Sequence, residues 1–170
     1  MSISMYKASV PVFVQFLSAL SAVLDKADLF ADSKKIDATV LTGMRLAPDM
    51  HPFAWQVRST TNHALRACAM ISGVTAPDLG DSQTTICQLK ERIAATIDFA
   101  KTIKPEQMDG QEGKEIVLKF GTNEFKFDGL SFLLNFCLPN FFFHAATAYD
   151  ILRHAGVDLG KRDFMGSPPR

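Results

Sequence analysis

The chain has no surplus of charge of either sign: 18 Lys and Arg stand against 18 Asp and Glu in 170 residues. No run of basic residues forms a stripe able to follow phosphates, so nucleic-acid binding has no electrostatic support. Cysteine is scarce as well. Cys68, Cys87 and Cys137 are odd in number and form no C-x-x-C pair. Each falls in a helical pattern among apolar neighbours, where a free thiol behaves as a small buried hydrophobe. That usage excludes a disulfide framework and fits a reducing cytoplasm. The start, Met1 to Lys7, lacks the basic stretch, unbroken apolar core and small-residue cleavage site of a signal peptide. No serine-nucleophile motif, phosphate loop or dinucleotide fingerprint occurs, and Gly110-Gln111-Glu112-Gly113 reads as a turn. Gly129–Tyr149 alone is long enough to span a membrane, at about 20 residues. Asn135, Pro139, Asn140 and His144 inside it argue for burial within protein, because polar groups are costly in lipid. A soluble, cytoplasmic chain without a membrane partner is expected.

Apolar residues are what the chain has in quantity: 47% of the sequence is hydrophobic and 14 residues are Phe. That suffices for one core in a single domain spanning residues 1–170. Val10, Phe13, Leu17, Leu20, Leu24 and Ala27 recur at helical spacing, which predicts a first helix from Tyr6 to Phe30, with Pro11 in its opening turns. Asp37–Met44 reads as a short connecting helix. The second long helix starts near His51-Pro52, with Asp49 able to cap it, and ends at Gly73. Its inward face, Phe53, Val57, Ala64, Ala67, Cys68 and Ile71, is mostly small and permits close approach of a neighbour. Thr85-Ile86-Cys87-Gln88 fits a capping box opening the third helix, which Pro105 closes. Alternation around Gly121-Thr122-Asn123 predicts a hairpin, whose Phe-rich face must pack on the helices because a lone hairpin is unstable. The fourth helix runs from Asp128 to His154 and stops at Gly156; a polar tail from Leu159 to Arg170 lies along the surface. The fold class is therefore all-α: a four-helix bundle with a small β-hairpin between helices three and four.

The fourth helix concentrates the chemistry. It is apolar on nearly every side, so it must be covered, and its polar members Asn135, Asn140 and His144 need partners or a role. At about 100° per residue, Asn140, His144 and Thr147 share one face, and Pro139 predicts a kink beside them. His144 reads either as a metal ligand or general base facing the bundle axis, or as a core histidine bonded to Asn140 or to a side chain on helix one or two. Asp49 and His51, just before helix two with Trp55 one turn on, could supply a second ligand at the mouth of the bundle; alternatively Asp49 caps the helix and His51 is a solvated turn residue. His63 and His154 read as surface residues, and Asp150, Arg153 and His154 as a solvated helix end. Thiol catalysis is disfavoured, since Cys137 and His144 lie about 10 Å apart along the helix axis.

Several segments together resemble a known family. They are Met1-Ser2-Ile3-Ser4-Met5-Tyr6 with Ser9-Val10-Pro11-Val12-Phe13, Arg45-Leu46-Ala47-Pro48-Asp49-Met50, Leu138-Pro139-Asn140-Phe141-Phe142-Phe143-His144, Ala148-Tyr149-Asp150-Ile151-Leu152-Arg153-His154 and Leu159-Gly160-Lys161-Arg162-Asp163-Phe164. They resemble an uncharacterised bacterial family of unknown function within the DinB-like four-helix-bundle superfamily. The resemblance implies three histidines around a divalent metal, one near the start of helix two and two in an H-x-x-x-H arrangement at the start of helix four. Some members use that metal to activate a thiol or water. Here His144 matches the second histidine of the pair, Asn140 stands in place of the first, and His51 lies near the helix-two position. Asn is a poor ligand for zinc or nickel, so an incomplete site of His51 and His144 favours no catalytic metal. Two functions follow: an altered metal or small-ligand pocket of unnamed activity, or a non-catalytic homodimeric bundle that binds an apolar small molecule or a protein. Whether the chain is an enzyme stays open.

Overall fold

The computed structural model describes residues 4–167, and of Phe120 the backbone alone. The expectations for Met1 to Ile3 and for Pro168 to Arg170 lie outside the described residues. The chain is mostly helical with one two-stranded antiparallel hairpin.

The first helix, α1 (Val10–Lys34), begins one residue before Pro11, whose missing N–H costs nothing in an opening turn. Its expected start at Tyr6 is corrected. Residues 5–9 form a turn held by Asp109, which accepts from the Tyr6 N–H at 3.0 Å and the Ser4 hydroxyl at 2.9 Å. The helix also runs one turn past Phe30, to Lys35 in the left-handed conformation at φ 56. Asp37 caps α2 (Ala38–Gly43) by accepting from the Thr39 N–H.

The second long helix is α3 (Phe53–Ser72), and Asp49 does not cap it. Pro52 occupies the cap position with extended backbone and no side-chain bond. A residue preceding proline is itself held extended, so the chain leaves Asp49 too far back to reach the free N–H groups. The capping box of Thr85 and Gln88 opens α4 (Ile86–Thr102) as its sequence pattern predicts. Pro105 does more than close that helix: it starts α5 (Pro105–Met108), which buries Met108.

Strands β1 (Ile116–Phe120) and β2 (Asn123–Phe127) pair with Ile116 opposite Phe127, so the turn is Gly121-Thr122 and Asn123 joins the ladder. Ile116 and Leu118 enter the core, and Phe127 packs on Phe132 and Phe136 at 5.8 and 5.5 Å. Phe125 is exposed, so only part of the aromatic face meets the helices.

The fourth long helix is composite. Asp128 caps α6 (Gly129–Ser131), a π-helical segment covers Phe132–Cys137, and α7 (Leu138–His154) follows to Gly156 at φ 96. The kink expected at Pro139 has as its counterpart this wider turn just before the proline, one way a chain accommodates a residue without an N–H. The helix is not covered all round: Leu130 is 39%, Leu134 42% and Phe143 56% exposed, and Asn135 is exposed beside them. The reason is its position. α7 packs against α3 and α1, and the faces turned from both stay open.

The tail lies along the surface as expected, with no buried residue in α8 (Lys161–Met165), but it does so as a helix folded onto α1. Phe164 meets Phe16 edge-on at 5.4 Å, and Gln15 donates to the Met165 carbonyl at 2.8 Å. Cys68 and Cys137 are buried, whereas Cys87 is exposed next to Glu91 because it sits on the outer side of α4's first turn. Both α1 and the Gly129–His154 helix are long and apolar enough to cross a membrane. Each turns its apolar face into the shared core, with Phe13 and Phe141 in edge contact at 4.9 Å, as core helices of a soluble domain do.

Gly129 marks where the fourth helix leaves the 110–113 turn. A Cβ there would lie 2.1 Å from the Gln111 carbonyl oxygen, while the Leu130 N–H bonds the Glu112 carbonyl at 3.0 Å. We expect Gly129→Ala to cost about 1–3 kcal/mol of stability, the usual cost of overpacking. Urea denaturation with an unchanged midpoint would contradict that close approach.

Candidate functional site

Two rows of side chains at intervals of four face one another across α3 and α7. Trp55, Ser59 and His63 form one; Phe136, Asn140 and His144 form the other. Residues four apart share a helix face, so each row lies along one side of its helix. Between them is a cavity of about 480 Å³, which Arg58, Asn62, Arg66 and Asp81 also line.

The His144 ring is tied to helix α3. Its Nδ1 lies 2.8 Å from Gln56 Oε1, and Gln56 Nε2 donates to the His51 carbonyl at 2.9 Å. The second bond orients the amide. With Nε2 committed to a carbonyl, Oε1 must accept, so His144 carries its proton on Nδ1 and presents Nε2 as a lone pair. His63 stacks on the same ring at 5.5 Å between centroids and meets Phe136 at 5.6 Å. Its Nδ1 is buried without a hydrogen-bond partner among the described residues.

Both imidazoles are held neutral. Burial, and after it the charges of Arg66 and His144, push His63 from the ordinary 6.5 to about 4. Burial, and then His51, push His144 to about 4. Desolvation dominates in each because an imidazolium loses its water shell on entering this interface.

The other residues expected at the site are placed as follows. Trp55 lines the cavity, stacked on His51 at 3.9 Å and edge-on to His144 at 5.2 Å. His51 is exposed and acts on the site through that stack and its carbonyl. Asp49 is exposed and does not line the cavity. Asn140 lines it, but its amide donates to the Phe136 carbonyl at 2.7 Å. Thr147 is buried outside it, its hydroxyl given to the Phe143 carbonyl at 2.7 Å. His154 is exposed, as are Asp150 and Arg153.

His63 is a correction: it belongs to the cavity and not to the surface. Its spacing of eight from Trp55 was the available signal. Gln56 and Arg92 were missed too. Arg92, buried on α4, donates Nε to Thr61 Oγ1 at 2.7 Å and Nη1 to Gln83 Oε1 at 3.0 Å. It also bonds the carbonyls of Leu79 and Gly80 and pairs with Asp81 at 3.6 Å. The 79–83 loop, the outer wall of the cavity, is thereby fastened to two helices. Arg92's place beside Leu89, Ile93 and Thr96 on the inward stripe was the clue.

The matching family model covers residues 5–165 and is described as a domain of unknown function, DUF1993. The chain belongs to this family. A crystal structure of a DinB family member protein from Shewanella denitrificans is similar to it, with a TM-score of 0.87 and 34% identity. The similarity spans 97% of this chain and 93% of that one. No curated protein matches the chain. This DUF1993 chain is thus DinB-like, and the three-histidine metal site implied by that likeness can be tested on its residues.

The donors do not fit such a site. Among the described residues, no three His, Cys, Asp or Glu side chains stand together as a metal group. His63 and His144 lie nearly parallel, 16° apart. They are the two imidazoles lining the cavity, and its one acid among the described residues, Asp81, pairs with Arg92 at 3.6 Å, so a third donor for a tetrahedral ion is not supplied there. Asn140 and Gln56 contribute amides already engaged with protein groups.

The depressed histidines make stability depend on pH with a definite sign. Unfolded chains bind these protons near 6.5, the folded protein only near 4. The stability they contribute is complete above 6.5, declines as pH falls through that window, and changes no further below 4. We expect His63→Phe to flatten the decline by about one proton. Urea midpoints measured from pH 7.5 to 4 check this; an unaltered slope would contradict a buried neutral His63.

Proposed function

We propose that this DinB-like DUF1993 chain is a cytoplasmic four-helix bundle whose cavity between α3 and α7 binds a small molecule without a catalytic metal. The buried Nδ1 of His63 carries the reading. A buried polar atom left unsatisfied costs about 1–3 kcal/mol, and a hydroxyl, amide or carboxyl group on a ligand would relieve it. The fixed Nε2 lone pair of His144 offers a second anchor of known polarity. Both rings, at about 4, are weak bases at neutral pH, which favours recognition over proton abstraction.

Protein purified without an affinity tag tests the metal question. We expect no stoichiometric zinc, nickel, manganese or iron, and no rise in melting temperature when these ions are added. One bound ion per chain, lost in His144→Ala, would overturn the metal-free reading.

A second reading rests on a separate observation, the open side of the fourth helix carrying Leu130, Leu134 and Phe143. Apolar side chains left exposed along one helix suit a homodimer, with two copies covering each other. Light scattering at micromolar concentration should then give twice the chain mass, and Leu134→Glu with Phe143→Glu should halve it. A monomeric wild type would remove this reading and leave the cavity untouched.

A further inference from the structure

The cavity keeps a set of hydrogen-bonding atoms that the protein itself does not use. His63 Nδ1 is the one buried side-chain nitrogen or oxygen without a partner among the described residues. Ser59 Oγ, one turn before it on α3, has no hydrogen bond there either. On α7, His144 commits Nδ1 to Gln56 and leaves Nε2 as a lone pair. The Asn140 amide donates to the Phe136 carbonyl and leaves Oδ1 uncommitted. All four residues line the same cavity, in pairs one turn apart on facing helices, with the His63 and His144 rings 5.5 Å apart. The polarity of two of these atoms is fixed: His144 Nε2 and Asn140 Oδ1 can only accept. His63 is a neutral imidazole with neither nitrogen hydrogen-bonded among the described residues, so it offers one donor and one acceptor in either tautomer. The charged lining groups are engaged by contrast. Asp81 meets Arg92 and the Asn62 amide, Arg58 donates to the Gln83 carbonyl, and Arg66 has a partner as well.

Resting on the small-molecule reading above, we propose that the ligand is an uncharged planar carboxamide. Its N–H donors meet His144 Nε2 and Asn140 Oδ1, and its carbonyl accepts from His63 or Ser59. Complementary polarity selects that class. A carboxylate carries acceptors alone, so His144 and Asn140 would face it with lone pairs; an ester has the same deficit without the charge. A carboxamide holds N–H and C=O on one rigid edge, so it can satisfy the fixed acceptors and supply the missing partner of His63 together. Trp55, Phe136 and the nearly parallel imidazoles give flat walls suited to a conjugated body, and about 480 Å³ takes one or two rings. Both imidazoles, held near 4, stay neutral at physiological pH, so neither becomes a donor on both nitrogens that would welcome an anion.

Trp55 is the single tryptophan of the chain, and it lines the cavity, so its fluorescence reports occupancy. Benzamide, methyl benzoate and benzoate share a ring and a carbonyl carbon; only benzamide donates N–H groups, and only benzoate is charged. Each can be titrated against the full chain at neutral pH. We expect a saturable change with benzamide, and binding about tenfold weaker or worse with the other two, which leave the acceptors unpaired. His144→Phe keeps a ring in place and removes the acceptor, so it should weaken benzamide about tenfold and leave methyl benzoate unchanged. A general loosening of the pocket would weaken both alike. His144→Phe must first show a wild-type melting temperature; otherwise the ranking of the three ligands decides. Methyl benzoate or benzoate binding as tightly as benzamide overturns the carboxamide inference while the pocket stands. So does a folded His144→Phe that weakens neither ligand, or both equally. No saturable response to any of the three at millimolar concentration overturns the carboxamide inference and the pocket reading together.

Discussion

The close approach of α7 to α3 is the constraint on which the cavity depends. Helix α3 presents Thr60, Ala64, Ala67 and Cys68 to its neighbours, all buried and all small, and α7 answers with Ala145 and Ala148. Small residues let two backbones draw near, and only then can an imidazole on one helix reach an amide on the other at 2.8 Å. The same approach excludes water. Loss of hydration, more than any neighbouring charge, keeps His63 and His144 neutral. Packing, tautomer and protonation state at this site are thus three consequences of one helix–helix distance.

Two further devices hold that geometry. The wider turn at Phe132–Cys137 precedes Pro139, and the Asn140 amide reaches back to the Phe136 carbonyl just inside it. The segment leads directly into Phe136, Asn140 and His144, the row that faces α3. On the other side Arg92 gathers the 79–83 loop. A buried guanidinium would be costly alone, but this one bonds side chains and carbonyls from α3 and the loop and pairs with Asp81. The network gives a rigid outer wall where a loop of Asp, Gly and Ser would otherwise be free to wander.

Most helices were legible because their signals are local. The apolar spacing of Val10 to Ala27, the Thr85–Gln88 capping box, the Gly73 stop and the alternation of Ile116 and Leu118 each need only a few neighbouring residues. What escaped needs information from elsewhere in the chain. Helix α8 looks like a polar tail until Phe16 and Tyr149 are there to receive Phe164. Cys87 shares the helical setting of Cys68 and Cys137, yet nothing packs over its side of α4. The site divides likewise. Trp55, Asn140 and His144 were singled out, while His63 was read as a surface group because, by itself, a histidine on a polar stretch of helix is one.

The amino-acid sequence by itself determined which long segments are helical, where most of them stop, and that His144 would sit on an inward face. Periodicity and capping act over one or two turns and are written in consecutive residues. Only the tertiary structure decided that His144 would meet Gln56 and His63 and not Thr147 or Asp49. It alone also placed Arg58 and Arg66 around the cavity while Asp81 was drawn to Arg92. The His144 pairings depend on the rotation and separation of two helices distant in the chain, α3 ending at Ser72 and α7 beginning at Leu138. Such rotations follow from how the whole core packs, and no local pattern encodes them.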